Sequence, residues 1–346
     1  QLEATLDKKS AAETELRRNE KLISDLLNRI RRIEQQLKTS KARIQELETQ
    51  QAALTDAKQE QQAHLAQQLR AAYKAGNQEY LKVLLNQEDP HEISRMLKYY
   101  DYFNLARAVQ IEDYKVILME LAQVTSALAD ENIKLGENRD AMVAQRTSLG
   151  SAQIKQQHAL AALRQEMAAT GNEIRQLSQD RQQLESLLAR MHRALAGLAD
   201  IPAPSDAAPF AGMKGKLLLP VVGKVAHAFG TKRRDGKLTW DGVFINASPG
   251  EPVHAVHYGR VVFSDWLRGF GLIMIISHGD GYMSLYGHNQ ALYRQTGDWV
   301  AAGDVVAAVG TSGGQTQSGL YFEIRKGGRP DNPTQWCKAR ATSPNV

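Results

Sequence analysis

The sequence predicts a two-part protein: a long antiparallel helical coiled-coil hairpin followed by an all-β domain. Three observations predict this multidomain α + β class. The composition changes near residue 200, heptad seams run through the first part, and short β-forming runs between glycine turns fill the second. At 346 residues the chain exceeds what one compact domain usually needs. Before residue 200 it has one proline (Pro90), five glycines and no tryptophan, whereas the remainder holds nine prolines, 21 glycines and all four tryptophans. A single globular fold, a collagen-like rod and a wholly disordered chain are thereby excluded. No apolar run approaches the ~20 residues that span a bilayer, so a chain that does not itself cross a membrane is expected. No signal-peptide pattern opens it, and a start at Gln1 rather than Met is what a processed product would show.

In the first segment, Leu16, Ile23, Ile30, Leu37 and Ile44 hold one heptad position, and Leu26, Ile33, Leu47 and Leu54 the other. Asn19 and Ser40 are polar breaks. Such a 3.5-residue seam specifies a left-handed coiled coil. A second seam runs through Leu160, Leu163, Met167, Ile174, Leu177, Leu184, Leu188, Met191, Leu195 and Leu198. An intrachain hairpin or a dimer would bury both seams; their presence in one chain favours the hairpin. Around Gly136 and Gly150 both seams weaken, and a hinge or helix break is open there.

Between the arms, residues 78–115 are richer in apolar side chains than a two-stranded coil requires. Asp89-Pro90 supplies an N-cap and a proline at the first helical position, so a new helix is expected at that point. Tyr80, Leu84, Leu85, Met96, Leu97, Tyr99, Tyr100 and Phe103 make either a local helical mini-core or a docking surface of aromatic and methionine anchors. The expected organisation is arm 1 (1–77), tip (78–115), arm 2 (116–183), a candidate restraining helix with a Pro/Ala linker (184–212), and the β domain (213–346).

In the β domain, runs at Lys216–Val222, Val243–Ala247, Val253–His257, Gly259–Ser264, Leu272–His278, Tyr282–Tyr286, Val305–Gly310 and Leu320–Lys326 recur between turn residues, the pattern of an antiparallel sheet. The net charge of the chain is +5, and from Met213 onward 15 Lys/Arg stand against nine Asp/Glu. That excess favours an anionic partner such as cell wall or an acidic protein surface. No basic run interleaved with aromatics points to nucleic acid. Cys337 is the only cysteine, which excludes an intrachain disulfide and a thiolate metal site.

Gly250-Glu251-Pro252-Val253-His254-Ala255, Gly269-Phe270-Gly271, Ile276-Ser277-His278-Gly279-Asp280-Gly281-Tyr282, Tyr286-Gly287-His288 and Leu320-Tyr321-Phe322-Glu323 together resemble the LytM/lysostaphin-type zinc peptidases of the bacterial cell wall. The resemblance covers essentially all of 216–337 and implies their fold. It does not carry their chemistry. The family's "H-x-G-x-D" reads Trp240-Asp241-Gly242-Val243-Phe244 here, and its "H-x-H" reads Gly319-Leu320-Tyr321. The resemblance therefore puts Trp240, Phe244 and Tyr321 where zinc ligands would stand, and a catalytic zinc needs about three protein ligands and an open position for water. A non-catalytic domain with no metal and no cofactor is expected. His288 sits where active relatives keep a histidine that assists catalysis. His254 and His257, three apart on one strand region, lie on opposite faces and cannot chelate together; with His278 they are expected in ordinary polar roles, and Asp241 as a surface carboxylate.

Trp240, Phe244, Tyr286, His288, Tyr321 and Arg325 are expected to line the old substrate groove as a binding surface, with Phe244 partly filling it and Tyr286, Tyr321 and Arg325 open to a partner. A coiled coil, helical tip, linker and degenerate domain in this order resemble the division-associated murein hydrolase activators of Gram-negative bacteria. That resemblance implies a periplasmic protein at the division septum whose groove activates N-acetylmuramoyl-L-alanine amidases, and whose coiled coil engages FtsX of the FtsEX ABC transporter complex. It also implies a helical arm that covers the groove until the transporter moves it. Leu184, Leu187, Leu188, Met191 and Leu195 form a stripe wide enough for that arm, or else the segment merely finishes the hairpin. An active zinc endopeptidase and a passive peptidoglycan-binding spacer are the alternative functions.

Overall fold

The computed structural model describes residues 2–75, 90–170, 173–196, 208–232 and 239–339. Among the described residues three helices come first: α1 (Leu2–Ala75), α2 (Pro90–Thr170) and α3 (Glu173–Ala196). α2 starts at Pro90, as the Asp-Pro pair predicts. It runs unbroken through Gly136 and Gly150, where a Cβ would meet no neighbour within 4 Å. These glycines cost helix propensity without creating a break, so no hinge lies at either. The helix ends at Thr170 instead, and the second seam is divided: Leu160 and Leu163 belong to α2, Leu177, Leu184 and Leu188 to α3.

Two compact units are described separately, residues 1–31 with 144–346 and residues 32–143. In the first, Leu16 packs with Ala159 and Leu163, and Ile23 and Leu26 with Ala152. As the α1 number rises the α2 number falls, so the two helices run antiparallel within one chain. Among the described side chains of the second seam, Leu160 and Leu163 pair with α1, and the α3 leucines Leu184 and Leu188 pack elsewhere. In the second unit, Gln51 Nε2 donates to Thr125 Oγ1 (3.0 Å) and Gln68 Nε2 to Gln110 Oε1 (2.7 Å), which keeps the antiparallel order. Tyr99, at 66% exposure, and the half-exposed Phe103 lie one turn apart on α2, with Tyr102 also exposed. Those aromatics are therefore not a mini-core. Tyr80, Leu84 and Leu85 lie outside the described residues, as do the side chains of Met96, Leu97 and Tyr100.

Among its described residues the β domain has twelve strands: β1 (Leu217–Leu218), β2 (Lys224–His227), β3 (Val243–Asn246), β4 (Pro252–His254), β5 (Gly259–Leu267), β6 (Gly271–Ser277), β7 (Tyr282–Leu292), β8 (Trp299–Val300), β9 (Val305–Val309), β10 (Gly319–Lys326), β11 (Arg329–Asp331) and β12 (Cys337–Lys338). The main sheet is antiparallel in the order β2-β3-β10-β7-β6-β5-β8; β11 pairs with β10, and β9 joins β4 to β7. β1 and β12 form a separate parallel pair.

Side chains alternate across this sheet. Met274, Ile276, Tyr286, Phe322 and Ile324 enter a large core with Phe210, Val253, Val306 and Trp336. Ile273, Ile275, Met283, Leu285 and Tyr321 point the other way, into a second cluster. That second face carries the candidate site.

Candidate functional site

The second face gathers the three positions at which zinc ligands were expected. Trp240 and Phe244 have ring centroids 6.1 Å apart, and Trp240 and Tyr321 6.2 Å. β3 and β10 bring them together, since Phe244 and Tyr321 are directly paired across the two strands. His288 joins them, 6.0 Å from Phe244 and 6.2 Å from Tyr321. Simple alternation would put His288 on the Tyr286 side. A register shift between β6 and β7 and a left-handed backbone at His288 (φ 64°) turn it toward the groove. Its Nδ1 lies 2.9 Å from the Ser312 carbonyl.

These side chains do not suit a zinc ion. Indole and phenyl rings offer no lone pair to a cation, and the Tyr321 hydroxyl donates to Glu323 Oε2 at 2.8 Å. His288 is a single imidazole, and three protein ligands are the usual minimum. Among the described residues no group of three His, Cys, Asp or Glu could hold a metal ion. His254 Nδ1 lies 2.8 Å from the Gly303 carbonyl. His257 and His278 sit under the opposite core beside Phe210, and burial drives His278 down to about 3.

Three groove expectations fail. Tyr286 has no exposed surface and belongs to the opposite core, where its hydroxyl accepts from Val256 N (3.1 Å) and from Ser284 Oγ (2.9 Å). It shares a face with Tyr282 and Ser284 by alternation, so it cannot meet a ligand in the groove. Arg325 is on the expected face but only 4% exposed. Its Nη1 stands 3.1 Å from Glu323 Oε1, and its Nε donates to the Gly328 carbonyl at 3.0 Å. Arg325 forms the floor of the groove and neutralises a buried carboxylate, rather than waiting for a partner. Tyr321, at 2% exposure, is likewise covered.

What covers Tyr321 is α3. Leu184 and Leu188, one turn apart, are 3% and 4% exposed and share a cluster with Trp240, Phe244, Phe270 and Tyr321, and Leu187 packs against its edge. The side chains of Met191 and Leu195 lie outside the described residues. Ion pairs frame the contact: Arg181 Nε to Asp241 Oδ2 at 3.4 Å, and Asp180 Oδ1 to Arg268 Nε at 3.3 Å. Asp241 is thus a groove-edge partner for the helix. Gly269 allows the approach, because a Cβ there would stand 2.5 Å from Asp180 Oδ2.

The sequence reading missed Phe270, which lies 5.3 Å from Tyr321 and 6.4 Å from His288. It also missed His227, stacked 4.8 Å from Trp240 at an interplanar angle of 7°. Phe270 carried a signal, since it sits in the Gly-Phe-Gly turn used for the family resemblance. The β2 strand holding His227 carried none, being short and exposed.

Burial pushes the Glu323 carboxyl up to about 7, outweighing the Arg325 guanidinium and the Tyr321 hydroxyl. A value raised by folding favours the neutral form, so this contribution to stability is complete below pH 4.5 and fades as pH rises through 7. Glu323→Gln should flatten the fall in melting temperature between pH 5 and pH 8, which amounts to at most about 3 kcal/mol for such a shift. Identical pH slopes for variant and wild type would remove Glu323 as its source.

Residues 238–333 match the model of Peptidase family M23; the match lies within the β domain that follows the helices. More particularly, the chain is similar along nearly its whole length to "Murein hydrolase activator EnvC" of Escherichia coli, with 29% identity over 93% of this chain and 84% of that protein. "Murein hydrolase activator NlpD" of Escherichia coli is 36% identical over 35% of this chain, which spans 31% of NlpD's length. Among solved structures, the catalytic domain of the M23 protein EnpA from Enterococcus faecalis is 30% identical, with a TM-score of 0.30, covering 32% of this chain and 88% of that one.

Proposed function

We propose that this protein is a non-catalytic, autoinhibited activator of N-acetylmuramoyl-L-alanine amidases. It acts in the periplasm at the septum, where such amidases split peptidoglycan between daughter cells. The similarity to EnvC and NlpD supports activation of murein hydrolases. The observation that carries the autoinhibited form is the seating of Leu184 and Leu188 on Trp240, Phe244, Phe270 and Tyr321. An apolar groove fitted to an amphipathic helix can exchange one helix for another. A tethered cover competes at high effective concentration, so its few contacts suffice to keep a partner out until something pulls it away.

FtsX of the FtsEX transporter complex is the proposed source of that pull, engaging the tip of the coiled coil. Exposed Tyr99 and Phe103 support an aromatic docking face there.

Dye release from labelled cell wall by a purified amidase tests the reading. Residues 208–346, which hold their own large core, should stimulate release strongly, and the full chain should do so weakly. Phe270→Asp in the 208–346 fragment should abolish stimulation. Release of dye by the chain without amidase would make it a peptidase. Binding to cell wall with no effect on the amidase would make it a passive spacer.

A further inference from the structure

α1 carries two stripes in its first turns. Leu16, Ile23 and Leu26 face α2. A second, polar stripe at Glu13, Arg17, Glu20, Lys21, Ser24, Asn28 and Arg31 keeps the same helical spacing and meets the β domain. Glu20 is its centre. At 1% exposure it accepts from Trp266 Nε1 (2.6 Å) and from the Gly313 amide (3.0 Å to Oε1). Lys21 pairs with Asp265 at 2.6 Å. One turn on, Ser24 Oγ accepts from the Leu292 amide (3.2 Å), and Asn28 Nδ2 donates to the Leu292 carbonyl (2.8 Å).

We propose that the base of α1 is a second latch on the groove, closed by Glu20 and tied to α3 through Arg268. This rests on the activator reading and deepens it by naming how the same site is regulated. Two observations link the latch to the groove. Gly313, held by Glu20, follows Ser312, whose carbonyl fixes His288 in the groove wall. Arg268, in the turn between β5 and β6, pairs with Glu13 of α1 at 3.0 Å and with Asp180 of α3 at 3.3 Å. One guanidinium thus touches both helices, and Glu13 helps to hold it in place for Asp180, so loosening α1 frees Arg268 to turn away from α3.

The chemistry of the seam suits a contact that opens. α3 seals with leucines; α1 seals with ion pairs and hydrogen bonds, which water replaces at small net cost. Burial pushes the Glu20 carboxyl up to about 7 in spite of its donors. Docking a carboxylate there carries a desolvation cost that its donors offset only in part. The polar stripe also explains why Glu20 and Ser24 are buried on a helix otherwise patterned as a coiled coil.

Hydrogen exchange on the full-length protein, read together with amidase stimulation, tests the latch. Glu20→Ala should speed exchange at least tenfold at Gly313 and also at Leu292, whose partners Ser24 and Asn28 are untouched by the substitution. Exchange in residues 180–190 of α3 should rise too, and stimulation should exceed that of wild type. Trp266→Phe, which removes the donor and keeps the ring, should act in the same direction, with the β6 amides Ile273–Ile276 unchanged as the control for folding. Faster exchange confined to Gly313, with Leu292 and α3 as protected as before, would overturn the latch. If exchange spreads as expected but neither Glu20→Ala nor release of α3 raises stimulation, the activator reading fails and the latch stands as a structural coupling.

Discussion

Full-length protein carrying Leu184→Asp and Leu188→Asp is expected to stimulate the amidase far more strongly than wild type, toward the level of residues 208–346 alone. Each leucine is almost wholly buried against aromatic rings, worth about 2 kcal/mol per side chain. Losing both shifts the balance between covered and open groove by about 4 kcal/mol, on the order of a thousandfold. Repulsion adds to this, because the new carboxylates enter a groove that already holds Asp241 and Glu323. The substitutions spare the groove itself, so a partner's binding surface is intact once α3 leaves. Dye release measures the gain, and hydrogen exchange over residues 180–190 shows whether the helix has left. A freely exchanging α3 with stimulation no better than wild type would mean that this helix is not what holds the activator back.

Most of the architecture was legible because each part announces itself by a period. The 3.5-residue seam of α1, the Asp89-Pro90 helix start and the alternating runs of β5, β6 and β10 appear where expected. The second seam misled for a physical reason. Leu184 and Leu188 have the spacing of a coiled-coil face, but that spacing serves any apolar partner, and here the partner is the aromatic face of a sheet. The convergence of Trp240, Phe244 and Tyr321 followed from the motif resemblance, since β3 and β10 pair Phe244 with Tyr321 and Trp240 lies just ahead of β3. Tyr286 was misassigned although alternation with Tyr282 would have placed it on the far side. The polar stripe of α1 was unreadable, because charged side chains at heptad spacing usually mark a solvated face. Only Asn19 and Ser40, polar at seam positions, hinted that something else was involved.

Arg325 was expected to greet a partner, and the structure gives it a different task with a large stability effect. Its guanidinium faces the Glu323 carboxylate, which has no exposure of its own. Removing one member of a buried ion pair strands the other, at a cost of about 3–5 kcal/mol. Arg325→Ala should therefore lower the melting temperature by on the order of 10 °C or more. It also frees the Gly328 carbonyl that Arg325 Nε now binds. Because the loss arises from burying Glu323 without its counter-charge, which it must then answer by taking up a proton, Glu323→Gln placed on top should recover a good part of it, giving a coupling well outside simple additivity. Melting curves of wild type, both single variants and the double variant at pH 7.5 decide the matter. If Arg325→Ala melts with wild type yet no longer stimulates the amidase, Arg325 is a contact residue after all. If instability accounts for the loss, Arg325 acts through the fold of the groove floor and not as a contact.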